Sequence, residues 1–319
     1  MRHSFRAIAL AACVTAVVAA GSQPLPPPLG LDEYVPVPGN NPITPVKIRL
    51  GERLFFDASL SADGRVSCAT CHDPTRAFTS GTRLAAGVFG RTGPRNVPTI
   101  LNRGYGQTFF WDGRAATLEE QVLGPIQNRT EMGLSLSAFT ARLQRSASYV
   151  REFAEIFGEP PSAAAAARAI ATYVRAQRVA DAPYDRYRAG DGSALSADAA
   201  RGLSLFRGRA NCSSCHIGPN FTDEQFHNTG VSWGSGDLGR FRVTRRTADR
   251  GRFKTPTLRQ LRLTSPYMHD GSLDSLDAVV EFYDAGGNAN QWLDAELHPL
   301  RLTPPEKRDL IAFLRSLSS

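Results

Sequence analysis

The chain has 319 residues, of which 42% are hydrophobic, so it is long enough for two domains of ordinary size with packed cores. Its formal net charge of +7 comes from 37 basic and 30 acidic residues, and the only dense basic stretch is RVTRRTADRGRFK (242–254). Nucleic-acid surfaces usually show more clustering together with a recognisable reading motif, so the composition argues against nucleic acid as a partner.

The first residues have the pattern of a secretory signal. Arg2 and Arg6 precede an apolar run at 7–19 that ends in small residues, so we expect residues 1–21 to be removed and the mature protein to lie in the periplasm. The run is too short to span a membrane, and no later stretch approaches the required length of about 20 residues. In a less favoured alternative, Cys13 is acylated and anchors a lipoprotein.

The signal is followed by a Pro-rich linker at 22–42, whose composition favours extended, polyproline-like backbone. The folded part is expected to begin near Thr44, because Thr44 followed by Pro45 is a helix start. An N-terminal domain should span 43–190 and contain a Ser-capped, Ala-rich helix at 162–179.

The polar, Gly-containing segment 187–196 marks the domain boundary, and the C-terminal domain should span 191–319. This domain is expected to open with a helix and to close with another, whose apolar residues recur at helical spacing. Those residues are Leu310, Ile311, Leu314 and Leu317. Because long alternating strand patterns are absent, the predicted fold class is mainly α, with long loops.

Two identical C-x-x-C-H strings carry the chemistry of the chain, and together they use four of its five cysteines. They are Cys68, Cys71 and His72, and Cys212, Cys215 and His216. In this signature both thiols add to the vinyl groups of a c-type haem, and the following imidazole binds its iron. A redox dithiol does not need the following His twice, and a zinc site would have to use adjacent Cys and His. The sequence therefore predicts two covalent c-type haems.

The first haem should have one open face. No His occurs between Asp73 and Cys215, so no local imidazole is available as its second ligand. Met132 is the only Met in that stretch and is a minor alternative. An iron with an open position in a protein pocket indicates small-molecule chemistry, such as activation of peroxide or O₂.

Several motifs resemble those of the bacterial dihaem cytochrome c peroxidase family, in the family's order and over about residues 43–318. They are LGERLFFDASLS, SCATCHDP, GPRNVPTILN, FFWDGRA, FHNTGV and KTPTLRQLRLTSPYMHDGSL. The resemblance implies two cytochrome c-like haem domains with a calcium ion and a Trp at their junction. It also implies that the N-terminal haem reacts with hydrogen peroxide and that the C-terminal haem relays electrons to it.

By the same resemblance, Trp111 in FFWDGRA is similar to the Trp that bridges the two haems. Glu131 resembles the carboxylate over the peroxidatic haem, where it can carry a proton between the peroxide oxygens, and Gln121 and Pro125 resemble its neighbours. Without the resemblance, Trp111 would be an ordinary buried aromatic residue and Glu131 a solvated one. The calcium ligands would be the Asn96 side chain and the carbonyls of Thr264 and Pro266, since oxygen ligands suit this hard cation.

Two positions depart from the standard peroxidases and resemble the MauG-type branch. The loop His that closes the first haem in the standard enzymes is replaced by Val88, so this haem is expected to be open constitutively. The Met that ligates the second haem is replaced by Tyr283. Tyr283 also continues an apolar stripe and could be a core residue, in which case Met268 is the main rival ligand and His269 the next. A phenolate would lower the haem's potential.

The predicted function is therefore that of a dihaem oxidoreductase that reduces hydrogen peroxide, either fed by a small redox protein such as a cytochrome c or a cupredoxin, or acting on a protein substrate. The alternative from another class is a dihaem cytochrome that only transfers electrons. A haem-based sensor would keep the open iron but have no use for Glu131 and Trp111.

Overall fold

The computed structural model describes residues 26–319, so the predicted signal, Cys13 and residues 22–25 of the linker lie outside the described residues. The described part is mainly helical, as predicted, with one small antiparallel sheet of two strands. Among these residues no helix is both long and apolar enough to cross a bilayer.

The chain forms α1 to α7 before residue 190 and α8 to α11 after it. Their bounds are α1 Pro45–Phe56, α2 Cys68–Cys71, α3 Leu118–Gln127, α4 Leu136–Arg145, α5 Ala147–Phe157, α6 Ala163–Ala176, α7 Pro183–Arg188, α8 Ala197–Arg207, α9 Phe241–Thr244, α10 Leu276–Asp284 and α11 Pro304–Arg315. Strands β1 (Phe226–His227) and β2 (Phe253–Lys254) pair with each other.

The helix starts follow from capping chemistry. The hydroxyls of Thr44, Ser162 and Thr303 accept the free N–H groups of the first turns of α1, α6 and α11. This confirms the predicted starts of α1 and α6. Helix α6 ends at Ala176, three residues before the predicted end. Beyond it the backbone turns away to bond to Asn102, whose side chain accepts from Val179 N at 2.8 Å and donates to Val179 O at 2.9 Å.

Two hydrophobic clusters form the core. One collects buried residues between Leu50 and Val174, and the other collects those between Leu195 and Leu317. Helix α7 packs against the second cluster, because the Tyr184 ring lies 5.1 Å from that of Phe221. The boundary after residue 190 stays a prediction, and this packing favours one before α7.

Packed structure begins earlier than the sequence predicts. Asn41, at the end of the Pro-rich segment, is buried, and its amide donates to Glu119 at 2.7 Å and to Arg168 O at 3.0 Å. Nearer the start of this segment, the carbonyl of Gly30 accepts from the buried Arg259 at 3.0 Å. The described part of this segment, 26–42, has no helix or strand, but its polar groups bond to residues from both halves of the chain.

Candidate functional site: two haem-attachment strings on one cavity

The first attachment string is a single turn, α2, with His72 directly after it. The His72 Nδ1 lies 3.0 Å from the carbonyl oxygen of Phe78. Because a carbonyl can only accept, Nδ1 carries the proton, and Nε2 keeps its lone pair for a metal. Burial lowers the pKa of this imidazole, which favours the neutral form that binds metals.

The second string repeats this arrangement on a 3₁₀ turn. The His216 Nδ1 donates to the carbonyl of Phe221 at 2.8 Å, and burial again lowers the pKa of the imidazole. All four described cysteines are free thiols. Both strings therefore present two thiols and one available Nε2, which is the donor set that covalent haem attachment requires.

One continuous cavity of about 440 Å³ joins the two strings. It is lined by Cys71 and His72 at one end and by all three residues of the second string at the other. The rest of its wall comes from both halves of the chain. The two attachment sites thus share one space across the junction.

The sequence-predicted residues of the first site meet in this cavity. Gln121 and Pro125 lie one turn apart on α3, and Glu131 follows in the loop after that helix. The side-chain amide of Asn128 donates to Glu131 Oε1 at 2.7 Å, and no described residue donates to Oε2. Burial raises the pKa of the Glu131 carboxyl, although Asn128 opposes the shift. Glu131 is therefore a half-buried carboxyl on the cavity wall that can hold or release a proton.

Val88 occupies the position of the loop His that closes the first haem in the standard peroxidases. Val88 is fully buried, and its N–H donates to the carbonyl of Glu131 at 2.9 Å. Met132 is buried in the first hydrophobic cluster and is absent from the wall of the cavity. Of the described residues, His72 is thus the one imidazole or thioether on the N-terminal part of this wall.

Trp111 lines the cavity and contacts residues from both halves of the chain. Its Nε1–H donates to the carbonyl of Asn96 at 2.9 Å, and its own carbonyl accepts from Lys254 N at 2.8 Å. The buried ring of His269 meets the indole edge to face at 6.2 Å and stacks on Phe253 at 3.5 Å. The indole is fixed by contacts from both halves of the chain.

Tyr283 lies on α10, facing the second string. It lines the cavity with Cys212 and Cys215, and its hydroxyl makes no hydrogen bond within the described part of the chain. Burial, followed by the two nearby thiols, raises the pKa of the phenol. Met268 also lines the cavity, whereas the Nε2 of His269 is bonded to the Ser232 hydroxyl. Tyr283 is half-buried, so its phenol remains accessible from the cavity.

The three expected calcium ligands also lie on the cavity wall. The buried Asn96 uses its amide nitrogen to donate to Thr82 O at 3.0 Å and to Arg83 O at 3.2 Å, so its Oδ1 points elsewhere. Neither the Thr264 nor the Pro266 carbonyl accepts a backbone hydrogen bond from a described residue. Three oxygens of the type that calcium prefers are thus available.

Sequence reasoning missed two polar groups of the C-terminal half. His227 Nδ1 lies 2.6 Å from Asp294, and Nε2 lies 3.0 Å from Asp223. The FHNTGV motif contains this His, but only the fold brings Asp294 to it. Lys254 is buried on the cavity wall with Glu224 at 3.5 Å, and burial lowers the pKa of the ammonium to about 7. The sequence showed no signal for this pairing.

Together these features define the class of protein: a c-type cytochrome with two haem-attachment sites that open on one cavity. A family profile described as "Di-haem cytochrome c peroxidase" matches residues 45–193. A methylamine utilization protein MauG of Methylorubrum extorquens is 45% identical, with 90% of this chain and 82% of that protein covered. The cytochrome c551 peroxidase of Pseudomonas aeruginosa is 35% identical, with 87% and 80% covered.

A solved structure described as a MauG-like protein associated with microbial copper homeostasis is similar in fold. It superposes with a TM-score of 0.84 at 35% identity and covers 90% of this chain and 94% of its own. The chain belongs to the di-haem cytochrome c peroxidase family, which also includes MauG and its relatives.

Proposed function

We propose that the protein reduces hydrogen peroxide at its N-terminal haem with electrons relayed through its C-terminal haem. The observation that carries this proposal is the shared cavity, whose wall includes both attachment strings, the half-buried carboxyl of Glu131 and Trp111. Overall, H₂O₂ takes up two electrons and two protons and leaves as two molecules of water. When bound, haem iron supplies the one-electron redox chemistry.

The residues present fit two haems. The thiols of Cys68 and Cys71 would hold the first and those of Cys212 and Cys215 the second, with His72 and His216 as iron ligands. The carbonyls of Phe78 and Phe221 keep these two imidazoles in the tautomer that binds through Nε2. Because each His follows its pair of cysteines and keeps Nε2 available, the two strings favour haem over a disulfide or a tetrahedral metal centre.

Glu131 would move the proton during cleavage of the peroxide bond. Because Asn128 holds Oε1, Oε2 is the atom that accepts a proton from the near oxygen and returns it to the far one, so that water leaves. Gln121 and Pro125 would shape the same pocket, since both lie on the cavity wall. With Val88 in the core, no side chain from that loop would compete with peroxide for the open position.

Trp111 would carry electrons between the haems. An indole fixed by Asn96 and flanked by His269 is a polarisable group in a set position, and its carbonyl contact with β2 ties it to the second half of the chain. The calcium ion that we propose at Asn96, Thr264 and Pro266 would stabilise this same junction.

We infer that Tyr283, rather than Met268 or His269, is the second ligand of the C-terminal haem. It lines the cavity on α10 together with both attachment thiols, and its hydroxyl is not bound to any other described residue. Phenolate ligation would stabilise oxidised iron and place the chain with the MauG-type branch, in which oxidising equivalents can be held over both haems.

The proposed location is the periplasm, supported by the signal-like pattern at 1–21. The proposed partner is a small redox protein, a cytochrome c or a cupredoxin, or a protein substrate.

Peroxide turnover by the purified holoprotein, with a small reductant in excess, separates this enzyme from an electron carrier. Consumption of H₂O₂ that requires Glu131 supports the enzyme. A protein that exchanges electrons but leaves peroxide intact would be a dihaem electron-transfer cytochrome.

A further inference from the structure

Residues 240–252 carry the excess positive charge of the described residues. The segment holds six basic residues and one acidic residue, Asp249. Arg2 and Arg6 are outside the described residues, which leaves 35 basic against 30 acidic residues in 26–319. The segment has a net charge of +5, which equals the total for residues 26–319, so the remaining described residues together have no net charge. The positive charge is therefore a local property of one surface.

Most of these arginines form no ion pair with a described residue. Arg245 and Arg246 are exposed, directly after α9, and form no ion pair with a described residue. Asp249 accepts from the hydroxyl of Thr244 at 2.7 Å within the segment. Arg242 is the member with a nearby acid, Asp237, at 3.8 Å. Guanidinium groups left free on a surface attract anionic partners and raise their association rates.

Two exposed apolar side chains accompany the charge. Val243 is 40% exposed on α9, and Trp233 is 45% exposed in the preceding turn. Arg242 ties that turn to α9 by donating to Gly236 O at 3.1 Å. Protein–protein interfaces are enriched in Trp and Arg, and an apolar side chain such as Trp often anchors them. A surface that binds polyanions needs only the positive charge.

The segment contacts residues next to Trp111, which carries electrons between the haems in the proposed function. Arg240 donates to the carbonyls of Asp112 and Gly113 at 2.9 and 3.0 Å, next to Trp111. On the other side Ser232, the neighbour of Trp233, bonds to His269, whose ring meets the indole of Trp111. A protein docked here would lie one layer of side chains from the inter-haem Trp.

We propose that Trp233 and residues 240–252 form the docking surface for an acidic redox protein that exchanges electrons with the haems at the domain junction. This inference rests on the proposed function for the purpose of docking, but the docking itself is tested by binding alone.

The experiment measures the affinity of the holoprotein for an acidic cupredoxin in low salt, with a basic cytochrome c as the oppositely charged probe. The charge-reversed variant Arg245→Glu/Arg246→Glu should bind the cupredoxin at least about tenfold more weakly, mainly through slower association. The difference should shrink at about 1 M salt, where the Debye length is about 3 Å. Trp233→Ala should weaken binding at both salt concentrations.

Arg49→Glu/Arg151→Glu is the matched control, because both arginines are exposed helix residues of the other half and neither forms an ion pair with a described residue. It should bind the cupredoxin like the parent. Arg245→Gln/Arg246→Gln, which removes charge without reversing it, keeps the test open if the first variant misfolds.

Equal affinities of parent and Arg245/Arg246 variants in low salt overturn the proposal. So does tighter binding of the parent, at equal salt, to single-stranded DNA or to vesicles of anionic phospholipid. Peroxide turnover by the parent with a small reductant is recorded in parallel. Its absence would contradict the proposed peroxidase while the binding result still decides the docking surface.

Discussion

Replacing Glu131 by Gln removes one titratable oxygen from the cavity and little else. Gln keeps an Oε1 that can accept from Asn128, and the backbone bonds that hold the loop, Glu131 N to Asn128 O and Val88 N to Glu131 O, do not involve the side chain. Loss of a general acid/base costs about 10² to 10⁴ in rate. Since no other carboxylate of the described residues lines the N-terminal part of the cavity, we expect about a thousandfold or more.

That loss corresponds to about 4 kcal/mol of transition-state stabilisation. The assay is stopped-flow reaction of the holoprotein with H₂O₂, followed in the haem bands, with Glu155→Gln as the control because Glu155 is exposed on α5. The raised pKa of Glu131 also places an acid limb on the rate, since the carboxylate is lost as the pH falls through that pKa. The Gln variant should lack this limb. An unchanged peroxide rate in Glu131→Gln would refute the assigned role.

The remaining predictions concern the ligands of the two irons and the junction. The ferric protein should show one high-spin haem by EPR and bind cyanide without prior reduction, because His72 has no second imidazole near it; two low-spin signals would contradict this. Tyr283→Phe should change the low-spin spectrum and raise the potential of the second haem, and an unchanged spectrum would make Met268 the ligand. Asn96→Ala should abolish tight calcium binding in a chelator titration and slow electron transfer between the haems at least about tenfold; calcium retention at parental affinity would place the ion elsewhere.

The parts of the site that sequence alone predicts are local. The attachment strings need only adjacent residues, and the starts of α1, α6 and α11 follow from one capping hydroxyl each. Gln121 and Pro125 share a face because they are four residues apart on a helix. Such patterns are visible in a sequence because every partner lies within one turn.

The parts that sequence alone misses depend on contacts between residues that are far apart in the chain. Asp294 reaches His227 from 67 residues away, and Glu224 reaches Arg103 from 121 residues away. Arg259 and Asp185 form a buried pair at 2.6 Å across 74 residues. Charge composition predicts that arginines and carboxylates exist, but loops without periodicity carry no signal for which of them meet.

Asn96 shows how the junction joins functions that the sequence presents separately. Its N–H donates to His269 O at 2.8 Å, its carbonyl holds the indole of Trp111 at 2.9 Å, and its amide nitrogen bonds to Thr82 and Arg83. Only Oδ1 remains for a calcium ion. A cation bound there would stiffen the same residue that sets the position of the bridging indole. Calcium occupancy and electron transfer between the haems should therefore change together, even though no calcium ligand belongs to either haem string.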